Sequence, residues 1–493
     1  MPEKATIKVS VQDRIGEINR HIYGHFVEHL GACTYGGIWA EEGSPAPVQD
    51  GFRADVLKLV KDLRPPNIRW PGGCFTNNYH WRDGVGPRDK RPLKFDWYWH
   101  KPEPNTFGTH EFIDLCRRTE AEPYICTNFH TGSPEESAAW VEYCNAPADV
   151  GEGKNRARNG HAEPFNVKIW SVGNETWGFP PEENANGFVK HYKAMKKVDP
   201  EIETIAVGSS GHRPEWNEPL IKIAGEFFDY ISIHHYTSTR PRMGKVFPDP
   251  RNEDVYLAIV AGPVYVERFL GELIQMLEAL LPDRPEVGIA FDEWNVWMYS
   301  KQGLEHNYAL RDAVYAAGIL NALHRLSARV KIANLAQLVS CLGAIQANGE
   351  AAFPTPLYSA VKLYSTLAED VAVRTEVSCA GFDTIAIDSV PALESVPYLD
   401  ASATVSVDGK RAALFVANRH ASEAVEGALD FGGRKAAGKV RVDQIAGPSW
   451  SAMNTFDDPE KVLPTRVEMA ELPSSYSFPP HSVTVFSFEI AKD

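Results

Sequence analysis

Nowhere in its 493 residues does the chain carry an apolar run of about 18 residues, the length a membrane-crossing helix needs. Its first ten residues, Met1 to Ser10, contain no apolar stretch of the kind a secretory leader requires. It has few cysteines: Cys33, Cys74, Cys116, Cys126, Cys144, Cys341 and Cys379 are an odd set with no C-x-x-C spacing, which excludes both a disulfide framework and a zinc knuckle. Nor is there an excess of positive charge. With 50 Lys and Arg against 65 Asp and Glu, the net charge of −15 argues against a nucleic-acid or anionic-membrane surface. No internal repeat or low-complexity tract is present. These absences lead us to expect a cytoplasmic protein whose partner is small and neutral.

What remains is an ordinary globular composition, 43% hydrophobic and 23% charged, in a chain too long for one compact core. Twelve Trp and eighteen Tyr suit a site that stacks sugar rings, although most aromatics in such a chain are core. Two glutamates carry most of the information. Glu175, in Trp170-Ser171-Val172-Gly173-Asn174-Glu175, and Glu293, in Phe291-Asp292-Glu293-Trp294-Asn295, each stand where an apolar strand-like run stops. Desolvating a carboxylate there is costly unless a partner or a function offsets it, so two of them suggest an acid/base and nucleophile pair.

Up to about residue 365 the pattern alternates strand and helix. Strand-like runs end at Glu28, Trp70, Asn128, Glu175, Ser209, Tyr236 and Glu293, with a vaguer eighth run at Leu342 to Gln346. Helical patterns lie between them, one opened by Ser133 as N-cap, Pro134 at the first helical position and Glu136 closing a capping box. That count predicts an α/β fold, a (β/α)8 TIM barrel, over 18–368. Beyond it, short alternating runs such as Ala412 to Ala417 and Ser482 to Phe488 predict an all-β sandwich over 369–493, to which an N-terminal strand within 1–17 contributes.

In a barrel the concave mouth lies at the C-terminal ends of the strands. Glu175 then ends the fourth strand and Glu293 the seventh, on opposite sides of one opening, where they can straddle a glycosidic bond at about 5 Å. Glu28, Arg69, Asn128, His234 and Tyr236 end other strands and complete a sugar-sized polar cup. Arg69 would hold a nucleophilic carboxylate ionised and Tyr236 would donate to it. From the aromatic loop Asp96-Trp97-Tyr98-Trp99-His100 we take Trp99 as a further candidate sugar contact. His25-Phe26-Val27-Glu28-His29 matches an H-x-x-E-H zinc pattern, but that chemistry needs a helix, and the flanking Gly24 and Gly31 argue for a strand leading into a loop. No metal and no cofactor is expected.

Taken together, Ile22 to Glu28, Arg69-Trp70-Pro71-Gly72-Gly73, Asp83 to Pro87, Gly108 to Phe112, Gly173-Asn174-Glu175, His234-His235-Tyr236 and Phe291 to Asn295 resemble the α-L-arabinofuranosidases of glycoside hydrolase family 51. Val396 to Ser402 and Pro479 to Val483 resemble that family's terminal sandwich, so the likeness spans the chain. The resemblance implies an exo-acting retaining hydrolase of arabinofuranosyl oligosaccharides or polysaccharides, metal-free and assembled as a hexamer. It implies Glu293 as nucleophile and Glu175 as acid/base, with Glu28 and Asn174 on furanose hydroxyls. Arg69 and Tyr236 would support Glu293, and Cys74 would lie against the sugar where many relatives have Asn. The stretch Phe353 to Tyr358 lacks the glutamine that some relatives place against the sugar. An endo-acting glucanase or xylanase of the same family is the enzyme alternative, and a carbohydrate-binding protein on a dead barrel the non-enzymatic one.

Overall fold

The computed structural model describes residues 5–40, 43–239, 252–298 and 304–491. The chain begins with a long strand, β1 (Ala5–Glu17), which belongs to the C-terminal sheet, and then enters a closed parallel barrel. The barrel strands follow in chain order: β2 (Gly24–Phe26), β3 (Asn67–Trp70), β4 (Glu122–Thr127), β5 (Ile169–Val172), β6 (Glu203–Ser210), β7 (Tyr230–Ser238), β8 (Gly288–Trp297) and β9 (Val330–Leu335). A major helix follows each strand, from Ala54–Leu63 after β2 to Pro356–Leu367 after β9. Helices on the outside and side chains on the inside bury both faces of the strands, so β3 and β5 are buried throughout. Tyr124, Cys126, Ile169, Ile205, Ala290 and Ile332 form a separate apolar layer, drawn from β4, β5, β6, β8 and β9, that fills the barrel.

The eighth barrel strand is not the run Leu342 to Gln346. It is Val330–Leu335, whose pattern is disguised by Lys331, with its amine on the Ser327 carbonyl, and by Asn334, which donates to the His25 carbonyl and the Asn67 side chain. The later apolar run supplies only Ile345–Ala347 of a small hairpin with Ala352–Pro354. The helix Pro134–Asn145 opens as expected, with Ser133 Oγ accepting from the Glu136 amide at 3.2 Å. The carboxylate of Glu136, however, turns to His80 at 2.9 Å instead of closing a capping box.

Besides short two-stranded hairpins, the other strands are β10 (Val371–Ser378), β11 (Leu399–Val405), β12 (Arg411–Asn418), β13 (Val425–Asp430), β14 (Val440–Ile445), β15 (Thr465–Met469), β16 (Ser475–Phe478) and β17 (Ser482–Glu489). With β1 they form one nine-stranded mixed sheet in the order β15-β14-β17-β12-β11-β10-β1-β13-β16. Val440 and Val442 near one edge share a core with Ile7, Leu429 and Phe478 near the other, so the sheet curls over and packs on itself like a sandwich. Between sheet and barrel runs the helix Leu310–Arg325, buried from Leu310 to His324. Arg325 donates to the Ala401 carbonyl at 2.8 Å and pairs with Glu267, and Asn321 donates to Asp400 at 3.0 Å, so polar contacts pin the sheet to the barrel.

Candidate active site

Two carboxylates face each other across one histidine at the C-terminal mouth of the barrel. His234 Nδ1 lies 2.9 Å from Glu175 Oε1 and 3.6 Å from Glu293 Oε2. A Glu175 oxygen, a Glu293 oxygen and a His234 nitrogen all fall within 4.8 Å of one another. Glu175 stands beyond the end of β5 in a left-handed backbone conformation, φ +45°, following Gly173 at φ +91°. Glu293 sits inside β8, where the ladders to β7 and β9 both slip register, between Ser232 and His234 on one side and between Phe291 and Trp294 on the other. The irregularity allows consecutive residues, Asp292 and Glu293, both to reach polar partners inside the barrel.

Glu293 is held from both sides. Arg69 Nη1 donates to Oε1 at 2.6 Å, and Tyr236 Oη donates to Oε2 at 2.9 Å. Arg69 also donates to Asn174 Oδ1 at 2.5 Å and lies 3.5 Å from Asp292, so one guanidinium sets the positions of three site residues. Glu28 accepts from the Phe75 amide, Trp99 Nε1 at 2.9 Å and Gln337 Nε2 at 2.9 Å. Two glycines make room for this packing: a Cβ on Gly72, at φ +120°, would meet Glu28 Cβ at 2.5 Å, and one on Gly73 would crowd both Glu28 and Glu293. Cys74 Sγ lies 3.9 Å from Glu175 Oε2, and burial pushes its thiol up, so it is a neutral donor.

The charges are tuned against each other. Burial raises the Glu293 carboxyl, while His234 and Arg69 pull it back down. Burial and the charge of Glu293 raise Glu28 to about 7. Burial alone would lower His234, but Glu293, Asp292 and Glu175 around it raise it to about 10, so the ring is an imidazolium at neutral pH. Asp292 is buried yet held at about 2 by Arg69, His234 and Ser232. The side chain of Glu175 is 22% exposed against 5% for Glu293, so one carboxylate faces solvent and the other is enclosed. That asymmetry suits a proton-exchanging group opposite a buried nucleophile.

Residues 59–249 match the α-L-arabinofuranosidase 1 domain, and residues 292–482 match the α-L-arabinofuranosidase C-terminal domain. An intracellular exo-α-L-arabinofuranosidase of Bacteroides ovatus is 33% identical over 94% of this chain and 90% of its own. Among solved structures, a family 51 α-L-arabinofuranosidase from Thermotoga petrophila is 38% identical, with a TM-score of 0.87 over 99% of this chain and 100% of that one. The chain belongs to the α-L-arabinofuranosidases of glycoside hydrolase family 51. A family member from Thermotoga maritima, solved as an arabinose complex, is 37% identical with a TM-score of 0.90, covering 99% of this chain and all of that one.

Within the family fold, the structure gathers Glu28, Arg69, Cys74, Trp99, Asn174, Glu175, His234, Tyr236 and Glu293 at one mouth. Asn128 does not join them. Its amide donates to the Tyr79 carbonyl and Thr131 Oγ1, holding the neighbouring loop. Nor do the histidines of the zinc pattern. His25 is a strand residue with a fully buried ring, and His29 bonds Glu103 through Nδ1 and accepts from Trp70 Nε1 at Nε2, on a different set of partners from Glu28. Among the described residues the spacing that would fit a metal ion is that of Glu175, His234 and Glu293.

Two site residues escaped the sequence reading. Asp292 accepts from Tyr124 Oη at 2.5 Å and Ser232 Oγ at 2.6 Å and lies 3.3 Å from His234 Nε2. Its signal was present, a second acid directly before Glu293. Gln337, just past β9, donates to Glu28 at 2.9 Å and escaped notice because the eighth strand was misplaced.

Proposed function

We propose that the protein is an exo-acting, retaining α-L-arabinofuranosidase that removes terminal non-reducing arabinofuranosyl groups from arabinan, arabinoxylan or their oligosaccharides. The observation that carries this reading is the separation of the two carboxylates, whose oxygens lie within 4.8 Å. Retaining enzymes hold theirs at about 5 Å, whereas inverting ones leave room for water at about 6.5–9.5 Å. Glu293 attacks the anomeric carbon as the glycosidic bond breaks, and Glu175 delivers its proton to the leaving oxygen. Glu175 then takes a proton from water, which displaces Glu293 and releases the sugar with its configuration retained. His234 Nδ1, 2.9 Å from Glu175 Oε1, orients that carboxyl.

Recognition of the sugar falls to Glu28, Asn174, Cys74, Trp99 and Gln337. Asn174 Nδ2 and Gln337 Oε1 are buried without a protein partner, which supports a hydroxyl-bearing ligand there. We take 18–368 as the catalytic body and 1–17 with 369–493 as one β unit, a division supported by the Ile18 amide donating to the Asp370 carbonyl where the two chain crossings meet. An intracellular setting is supported by seven unpaired cysteines and by the Bacteroides ovatus relative. A hexamer, implied by the family resemblance, is testable by sedimentation.

The direct test is Glu175→Ala. Hydrolysis of substrates with poor leaving groups should fall by about 10²–10⁴-fold, far more than that of activated aryl arabinofuranosides. Azide should restore turnover and yield a glycosyl azide of retained configuration. Equal damage to both substrate classes would remove Glu175 from the acid/base role.

A further inference from the structure

We propose that the outer face of the hairpin Lys94–Asp96/Lys101–Glu103 is a stacking platform for the leaving part of a saccharide substrate, with Trp97 and Phe95 as its binding surfaces. This rests on the arabinofuranosidase reading and adds a preference for substrates whose aglycone is itself a sugar chain. Leu93, Phe95, Trp97 and Tyr98 are 71%, 47%, 69% and 42% exposed. Single exposed apolar residues need no explanation, but four within six residues, two of them packed edge to face at 5.3 Å, make a patch.

The patch is held in place by its own anchors. Lys94 pairs with Glu103, Phe95 with Pro102 and Asp96 with Lys101. The inward residues fix the backbone: Asp96 accepts from the Tyr98 amide at 3.0 Å, and buried Glu103 binds His29, Tyr35 and the Asn105 amide. Arg88 and Arg91 clamp the preceding loop to Glu111. A hairpin free to move would fold its indole onto the protein. This one is braced with the ring outside.

Its position supplies the ligand. Trp99 donates to Glu28 at 2.9 Å, and the chain from Trp99 back to Trp97 spans at most about 7 Å. Trp97 is therefore tethered two residues from the wall of the cup, on the hairpin whose Trp99 is assigned to the sugar. Sugar units beyond the scissile oxygen must leave the cup along its walls, and the apolar faces of their rings suit an exposed indole.

The test compares kcat/KM on an aryl α-L-arabinofuranoside with kcat/KM on arabinoxylan for the wild type, Trp97→Ala and Trp97→Phe, with sedimentation of each. The ratio of polymer to aryl activity should fall about tenfold in Trp97→Ala, chiefly through KM, and recover in Trp97→Phe. An unchanged ratio would overturn the platform, and a smaller assembly with an unchanged ratio would identify the patch as a contact between copies. Failure of the wild type on the aryl substrate would instead overturn the arabinofuranosidase reading itself.

Discussion

Replacing Arg69 with Gln removes the one guanidinium among the described residues that touches Glu293, and its consequence can be worked from the geometry. The pair is 2.6 Å apart, and the two side chains are 1% and 5% exposed, so solvent does little to screen it. Burial already raises the Glu293 carboxyl, and Arg69 opposes that rise. An opposite charge at this range favours the ionised carboxylate, so its loss should move the acidic limb of kcat/KM up. Asn174 loses its partner at the same time, so turnover should also fall at the new optimum. Because removing one member of a buried pair costs about 3–5 kcal/mol of stability, the folded state is checked by circular dichroism and Tm alongside the profile. Arg69→Lys, which keeps the charge but not the fork, should restore much of the acidic limb without full activity. A folded Arg69→Gln enzyme with reduced rate and an unmoved acidic limb would refute the reasoning.

Asp292→Asn removes the charge behind His234 Nε2. The imidazolium should then titrate about 1–3 units below 10, read from the ring by nuclear magnetic resonance, and a His234 pKa left unchanged would reduce Asp292 to a packing role. Glu28 is raised from 4.5 to about 7, so the folded chain holds a proton that the unfolded chain releases between those values. Stability from Glu28 is therefore complete below pH 4.5 and lost as pH rises through about 7, worth about 3 kcal/mol across the window. In Glu28→Gln the fall in Tm over that window should flatten, and an identical slope in both proteins would contradict the assignment.

The sequence made the site easier to read than the route the chain takes around it. Glu175, Glu293, Arg69 and Tyr236 were legible because each is a charged or polar group set in, or just after, a buried strand-like run, and a barrel gathers the C-terminal parts of its strands at one mouth. β9 was hidden because Lys331 and Asn334 interrupt its apolar pattern, each solving its burial by a contact remote in sequence or local to the preceding turn. Asn128 sits at a strand end like the others but turns to the loop, a choice of rotamer that no sequence pattern encodes. Asp292 is the converse case: strict strand alternation would separate it from Glu293, and only the slipped register of β8 brings both to the site.

The central claim is that Glu293 forms the covalent intermediate, and a mechanism-based fluoro-arabinofuranoside tests it without assuming anything about the acid. Incubation followed by proteolysis and peptide mass spectrometry should find one sugar adduct, carried on Glu293 and absent from Glu293→Ala, which should also be nearly inactive and regain turnover with azide only by inversion. An adduct on any other residue, or a Glu293→Ala enzyme that still releases arabinose with retention, would contradict the account.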